Sequence, residues 1–463
     1  MIIPEPKKLV TEIFFAALTA VNPYNAARSY ADKIKSIYER GVFNRLIVIG
    51  FGKAAYLMAK AMEDGLNGLI NEGVIVTKYG HSKVRQSRSA EAWKPFKEES
   101  NFLKRTSELT SFRTFRLFEA GHPIPDENGM RGTEEIINLL KQTDEKTLVV
   151  CLISGGGSAL LVSPLKGITL FEKQEITGLL LKAGADIHEL NTARKHISRV
   201  KGGRLAEIAY PAGIISLILS DVIRDRLDVI ASGPTSPDKT TFSDALRVLE
   251  KYALIDKSPK SVIDALQSGE EGLIPETPKE KGVFFNKVEN IIIGSGAIAL
   301  NAAEQKAKEM GLNANIISSE LTGEARDVGR WLAEKAKEEK GSEGQRVRGS
   351  KCLISGGETT VTVKGHGLGG RNTELALSFA IEIEGVSGIT MLSAGTDGTD
   401  GLTDAAGAIV DGETALTARK EGIIPEEYLD NNDSYNFFKK AGGLFVTGPT
   451  GTNVMDLQIT VIE

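Results

Sequence analysis

Only two cysteines, Cys151 and Cys352, occur in 463 residues, too few for a disulfide framework. Both stand in apolar runs, where a buried free thiol is the expected state. No run approaches the ~18 consecutive apolar residues of a membrane-spanning helix, and residues 1–10 lack the apolar centre of a signal peptide. The sequence therefore reads as a cytoplasmic protein. Charge of one sign is also lacking: 56 basic and 61 acidic residues leave a net charge of -5. That balance gives no reason to expect a nucleic acid or a membrane surface as partner, and it favours a small molecule. No His/Cys spacing for a transition metal is present. Prolines are few, 15 against 49 glycines, which suggests tight strand ends rather than disordered linker.

What is present is an alternation of strand and helix patterns. The length exceeds what one core usually organises, so two bodies are expected. Ile13, Phe14, Ala17, Leu18 and Val21 share one face of an opening helix. The run Leu46-Ile47-Val48-Ile49-Gly50 is a short strand ending in glycine, and helical spacing resumes at Ala54. Residues 73–77 and 147–153 read as further buried strands, so an α/β fold with a mostly parallel sheet is expected. Residues 81–115, rich in Lys, Arg, Ser and Glu, read as a solvated excursion. The chain divides on this reading into an N-terminal α/β domain over 1–240, a polar connector over 241–287 and a C-terminal α/β domain over 288–463. A charged helix tail in the last of these runs into a loop holding Gly341, Gly344 and Gly349.

Four glycine-rich strand ends are expected to face ligands. Gly50-Phe51-Gly52-Lys53-Ala54-Ala55 fits the turn of a dinucleotide fingerprint, but the next strand ends Val76-Thr77-Lys78 and supplies no acid for a ribose. Lys53 then reads either as a group recruiting an anion or as an exposed turn lysine. A second turn, Gly294-Ser295-Gly296, is followed by Glu320 at about the spacing that the fingerprint asks for. This is the feature that supports a dehydrogenase. Ser154-Gly155-Gly156-Gly157-Ser158 closes a buried strand and offers converging backbone N–H groups to phosphate oxygens, although no Lys-Ser/Thr completes a Walker sequence. The fourth end is Ser355-Gly356-Gly357-Glu358, with Arg371-Asn372 and then Asp397 and Asp400 beyond it, oxygen donors that a hard cation or a sugar acid would accept.

Between these lies a basic segment, residues 191–204. On a continuous helix Arg194, Ser198 and Lys201 would share a face that serves a polyanion, as would Lys195 and Arg199. Asp221 ends a strand, where α/β enzymes place a metal ligand or base, or else it caps a helix. Arg326 reads as a phosphate or carboxylate clamp or as an ordinary helix partner.

Taken in order, Gly50-Phe51-Gly52-Lys53-Ala54, Ser154-Gly155-Gly156-Gly157-Ser158, Lys201-Gly202-Gly203, Ser232-Gly233-Pro234-Thr235, Gly369-Gly370-Arg371-Asn372 and Gly395-Thr396-Asp397-Gly398-Thr399-Asp400-Gly401 resemble the glycerate 2-kinases of archaea and some bacteria. The resemblance spans nearly the whole chain. It implies an N-terminal Rossmann-like parallel-sheet domain, a C-terminal α/β domain with a mixed sheet, and an active site in the cleft between them. It further implies ATP-dependent phosphorylation of D-glycerate to 2-phosphoglycerate with Mg²⁺. Catalytic roles carry over to Lys53 and Arg326, and Asp221 joins them as a candidate base. The expected contacts to substrate and nucleotide are Gly52, Ser154, Gly155, Gly156, Gly157, Ser158, Lys195, Lys201, Gly296, Gly357, Glu358, Arg371 and Asn372. The expected metal ligands are Asp221, Asp397 and Asp400. The family also includes proteins labelled hydroxypyruvate reductase, which keeps an NAD(P)-dependent reductase as the alternative. A homodimer is left open.

Overall fold

The computed structural model describes residues 5–41, 43–83, 114–341 and 350–463. Most of the polar stretch 81–115, and the loop positions Gly344 and Gly349, lie outside those residues. The chain forms two compact units, one of residues 23–220 and 225–293, the other of residues 5–22, 221–224 and 294–463.

The first unit holds a six-stranded sheet in the order β3-β2-β1-β4-β5-β6. Its strands are β1 (Arg45–Phe51), β2 (Glu72–Lys78), β3 (Phe115–Ala120), β4 (Thr147–Ile153), β5 (Gly213–Leu219) and β6 (Val288–Gly294). The pairs from β3 to β5 are parallel. This is the doubly wound order expected from alternating strands and helices, with β1 and β4 central. β4 is buried along its whole length, as its unbroken apolar sequence requires. A parallel sheet brings every strand's carboxyl end to one edge. The turns after Phe51, Lys78, Ala120, Ile153 and Leu219 therefore gather there.

Beside the sheet, helices Leu170–Lys182, Ile187–His196, Phe242–Lys251 and Lys260–Glu270 pack around Ile176, Leu180, Leu190, Phe242, Leu249 and Leu266. Three of them start in capping boxes: Thr169 with Glu172, Asp186 with Glu189, and Thr241 with Asp244. The segment read as a polar connector thus supplies two helices of a packed helical layer. Its polar residues cap and face water, while its apolar stripe is buried.

The second unit's sheet runs β11-β10-β9-β12-β8-β7. It contains β7 (Asn313–Leu321), β8 (Lys351–Gly357), β9 (Ile389–Gly395), β10 (Gly407–Asp411), β11 (Leu444–Phe445) and β12 (Asp456–Ile462). β7 and β8 are parallel and the other pairs antiparallel, so the expected mixed sheet is present. The last strand of the chain, β12, lies in the middle and is fully buried.

Two boundaries differ from the sequence reading. The opening helix Pro6–Ala20, placed by sequence in the first domain, packs in the second unit, where the Phe14 ring meets Phe445 edge-on at 5.3 Å. β6, read as opening the second domain, is the edge strand of the first sheet. Apolar periodicity marks each element but not the sheet that receives it. Both cysteines are buried and free, and burial pushes the Cys352 thiol up to about 12. No helix among the described residues is long and apolar enough to cross a membrane.

Candidate active site

The first strand end is closed by its neighbour. Gly52 has φ +127°, and a Cβ there would strike Ser154 Oγ at 2.2 Å, so only glycine lets the two turns meet. The Lys53 amide donates to the Gly155 carbonyl at 2.9 Å, and the Ala54 amide donates to the buried Ser154 hydroxyl at 3.0 Å. Thr77, where a dinucleotide fold would carry its acid, donates its hydroxyl to the Gly52 carbonyl at 3.1 Å. That bond stabilises the turn and leaves no ribose acceptor.

The lysine stem of Lys53 and the ring of His122 flank Gly156: a Cβ there would lie 3.2 Å from Lys53 Cγ and 2.9 Å from the ring. Burial, and then the charges of Lys53, Lys78 and His81, depress the His122 pKa to about 4. Burial, followed by Lys78 and Lys53, also holds His81 below its ordinary value, although its Nδ1 meets the Lys53 carbonyl at 3.0 Å. Four basic groups thus share one strand edge, and burial, reinforced by the two lysine charges, lowers the pKa of the two histidines. An anion would relieve that repulsion. The sequence reading missed Lys78, His81 and His122. Lys78 and His81 end and follow the strand next to β1, so strand adjacency was the usable signal, whereas His122 depends on β3.

Gly157–Leu160 forms one helical turn after Gly156, and the Gly157 amide donates to the Ser154 carbonyl at 3.2 Å. Ser158 Oγ meets Ser232 Oγ at 2.8 Å, and Lys201 Nζ donates to the Ser158 carbonyl at 2.8 Å. Lys201 therefore braces the back of the turn. Lys195 is buried and donates to Asp238 at 3.1 Å, an internal ion pair. The basic segment is not one helix: the helix stops at His196, and Gly202 and Gly203 take positive φ before Arg204–Ala209 begins. Ile197 and Val200 are drawn into the core, which breaks the predicted common face.

In the second unit the charged groups hold one another. Arg371 binds Asp456 through Nη2 at 3.0 Å and through a short Nε bond, and binds Glu358 through Nη1 at 2.7 Å. Although burial works the other way, these carboxylates hold the Arg371 pKa above its ordinary value. Burial, together with the charges of Asp456 and Asp221, raises the Glu358 pKa against the opposing pull of Arg371. Glu358 and Asp221 thus share a region where carboxylates repel.

Asp400 is placed differently. Its two oxygens accept from the Asn372 amide at 2.9 Å, the Thr373 amide at 2.8 Å and the Thr373 hydroxyl at 2.7 Å. It caps helix Arg371–Glu382, and its acceptor sites are taken by that helix. Asp397 accepts from the Thr399 amide at 3.0 Å within its own turn. Asp221, Asp397 and Asp400 do not form a three-carboxylate metal group among the described residues. Asp400 is engaged at the helix terminus and Asp397 within its own turn.

Asn372 is buried and accepts from Ser393 at 2.8 Å. Arg326 starts helix Ala325–Lys340, donating Nε to the buried Glu374 at 2.9 Å and Nη2 to the Leu429 carbonyl at 2.9 Å. Gly357 is required by a close approach of strands, since a Cβ there would lie 2.3 Å from the Leu321 carbonyl. Gly296 begins helix Gly296–Glu309 under a Ser295 cap. The strand before this turn lies in the first sheet and the strand after it in the second, so no βαβ unit of one sheet surrounds it. Glu320, the acid it would need, is gripped by Arg224 at 2.7 Å.

Residues 9–267 match a family described as Domain of unknown function (DUF4147), and residues 351–456 match the MOFRL family. A D-glycerate 2-kinase of Thermotoga maritima is 46% identical over 98% of both chains. The chain belongs to the glycerate 2-kinase family. A glycerate 2-kinase of Pyrococcus horikoshii is 41% identical, over all of this chain and 98% of its own. A relative from Agrobacterium vitis with a provisional hydroxypyruvate reductase name is 38% identical, over 98% of this chain and 94% of its own. The crystal structure of a Thermotoga maritima glycerate kinase, 46% identical, superposes with a TM-score of 0.84 over 99% of both chains. The family's full-length match covers both units, including the two strand-end turns of the first sheet.

Proposed function

We infer that the protein is an ATP-dependent D-glycerate 2-kinase, which transfers the terminal phosphoryl group of ATP to the 2-hydroxyl of D-glycerate and releases ADP. The observation that carries this reading is the 46% identity over 98% of both chains to a D-glycerate 2-kinase. The strand-end chemistry agrees with it.

Phosphoryl transfer asks for positioning and charge neutralisation more than for a covalent partner. The turn over 155–158 offers backbone N–H groups other than that of Gly157 to phosphate oxygens, and Gly52 and Ser154 fix that turn. Lys53 supplies the mobile positive charge beside it, next to the neutral His122. Asp221 and Glu358 would hold Mg²⁺, which when bound neutralises phosphate oxygens. Arg371 orients Glu358, and Asp456 fixes Arg371. Arg326 is proposed to act on substrate through its guanidinium edge, with Glu374 holding it in place.

The reductase alternative rested on the Gly294 turn and Glu320, and neither has the surroundings that a dinucleotide requires. A coupled ADP-release assay run beside an NADH-oxidation assay separates the two readings. ADP release that depends on D-glycerate is expected. Hydroxypyruvate-dependent loss of NADH without ADP formation would overturn the kinase reading.

A further inference from the structure

Lys201, against the 155–158 turn, and Lys173 and Arg194, on helices beside the sheet, are basic side chains with no carboxylate partner. Lys173, on helix Leu170–Lys182, is 4% exposed, and its ammonium has no hydrogen-bond partner. Among the described residues no other buried side-chain nitrogen or oxygen is left in this state. Arg194 comes from the next helix, Ile187–His196, and is partly buried with no ion pair. Lys201 is fully buried, and its three protons go to neutral oxygens: the Ser158 carbonyl at 2.8 Å, the Ser158 hydroxyl at 3.2 Å and the Ala231 carbonyl at 3.4 Å.

The three act on one another electrostatically. Burial and then Arg194 lower the Lys173 pKa to about 7, while burial followed by Lys173 and Arg194 takes Lys201 well below its ordinary value. No carboxylate contributes to any of them. The acids of the same helices are engaged elsewhere or face water. Glu172 binds Thr169 and Ser261, Glu189 binds Lys251 and Tyr252, and Glu175 is exposed. Asp238, a buried acid of the neighbouring segment, is paired with Lys195.

Burying one unpaired ammonium is costly, and placing two more cations beside it raises the cost. A protein that has not removed them has a use for their charge. We propose that Lys173 and Arg194, backed by Lys201, form an oxyanion-binding site that takes a phosphate group. The ammonium offers three donors and the guanidinium a planar fork, a complement to tetrahedral oxygens that neither water nor a carboxylate of this chain supplies. Arg194 is partly exposed and is the group that an anion reaches from solvent. Lys201 ties this site to the turn, because the same ammonium holds Ser158. Occupancy therefore changes the charge directly behind the residues that present their N–H groups to phosphate. The phosphate is either free inorganic phosphate or the phosphate of a nucleotide.

The site needs only an oxyanion and no turnover, so it is tested by binding alone. The full-length protein and its Lys173→Met and Arg194→Gln variants are titrated calorimetrically with inorganic phosphate, with ADP and with a non-hydrolysable ATP analogue, and melting temperatures are recorded with and without each. The wild type is expected to bind at least one of these probes, with roughly tenfold or greater loss in both variants, the scale of one charge-assisted contact. Loss confined to inorganic phosphate identifies the free ion as ligand, and loss confined to the nucleotides identifies a nucleotide phosphate. Lys173→Met, which removes a buried unpaired cation, is expected to melt at or above the wild-type temperature without phosphate, so folding is not the obstacle. Equal affinity of wild type and both variants for every probe, or no binding of any probe by the wild type, would overturn the proposal.

Discussion

At the edge of the parallel sheet, Lys53 and Lys78 have no ion-pair partner among the described residues, and burial together with their charges lowers the pKa of His81 and His122. At the edge of the mixed sheet, Arg371 is held by two carboxylates and Arg326 by a third, while Asp400 is spent on a helix terminus. The first region stores uncompensated positive charge. In the second, Arg371 and Arg326 are ion-paired and help build a fixed frame. A cation kept apart from its counter-ions is poised for an anionic ligand, whereas one locked in an ion pair positions other groups. On the proposed function, the difference would give ligand-directed charge to the first unit and fixed oxygen donors to the second.

The sharpest way to break this comparison is to remove one charge from each side. Lys53→Ala should lower kcat by ~10²–10³-fold, the scale of one transition-state charge contact, while the melting temperature stays nearly constant. Steady-state kinetics and thermal unfolding on the same preparation decide it, and a parallel collapse of both would make Lys53 structural. Arg371→Met should do the reverse first. It leaves the buried Asp456 unpaired and should cost about 3 kcal/mol in urea unfolding, the lower end of the range because Arg371 is a third exposed. Asp400→Ala should cost about 2 kcal/mol through the lost cap, with no change in Mg²⁺ dependence. A raised Mg²⁺ requirement in that variant would restore Asp400 to the metal set.

A smaller effect has a definite sign. The folded-state pKa of Lys173 is near 7, below its ordinary value, so the folded protein binds fewer protons than the unfolded chain between about pH 7 and 10. In phosphate-free buffer wild-type stability should therefore rise with pH across that window, with Arg194 facing Lys173 as a cation and Lys201, also lowered by burial, adding to the rise. Lys173→Met should lose its share of this rise and be the more stable protein at pH 7. Melting temperatures of both at pH 7, 8.5 and 10 check it. A constant difference between the two would show that Lys173 is not the group responsible.

Much of the fold was legible from glycine-ended apolar runs. β1, β2 and β4 are strands that the sequence marks plainly, and their alternation with helices requires a parallel sheet. The destination of β6 and of helix Pro6–Ala20 was not legible, because an apolar stripe records that a partner exists and not which sheet provides it. The site divides in the same way. Gly52, Lys53 and the turn over 155–158 stand on adjacent strands, so their meeting follows from β1 pairing with β4. Lys195, Asn372 and Asp400 belong to motifs of the same appearance, yet their side chains are consumed internally by Asp238, Ser393 and the helix terminus. A motif gives residue types and order. Whether a charge is free depends on partners such as Asp238 and Asp456, which lie 43 and 85 residues from the cations they bind. Lys173 shows the converse, for its sequence setting is that of a helix lysine and only burial without a partner distinguishes it.

The most direct test of the account is phosphorus NMR of the products formed from ATP, Mg²⁺ and D-glycerate by the wild type and by Lys53→Ala at matched, folded concentrations. The wild type should produce the resonance of 2-phosphoglycerate together with ADP, and Lys53→Ala should produce almost none. Formation of the same product at the same rate by both would contradict it.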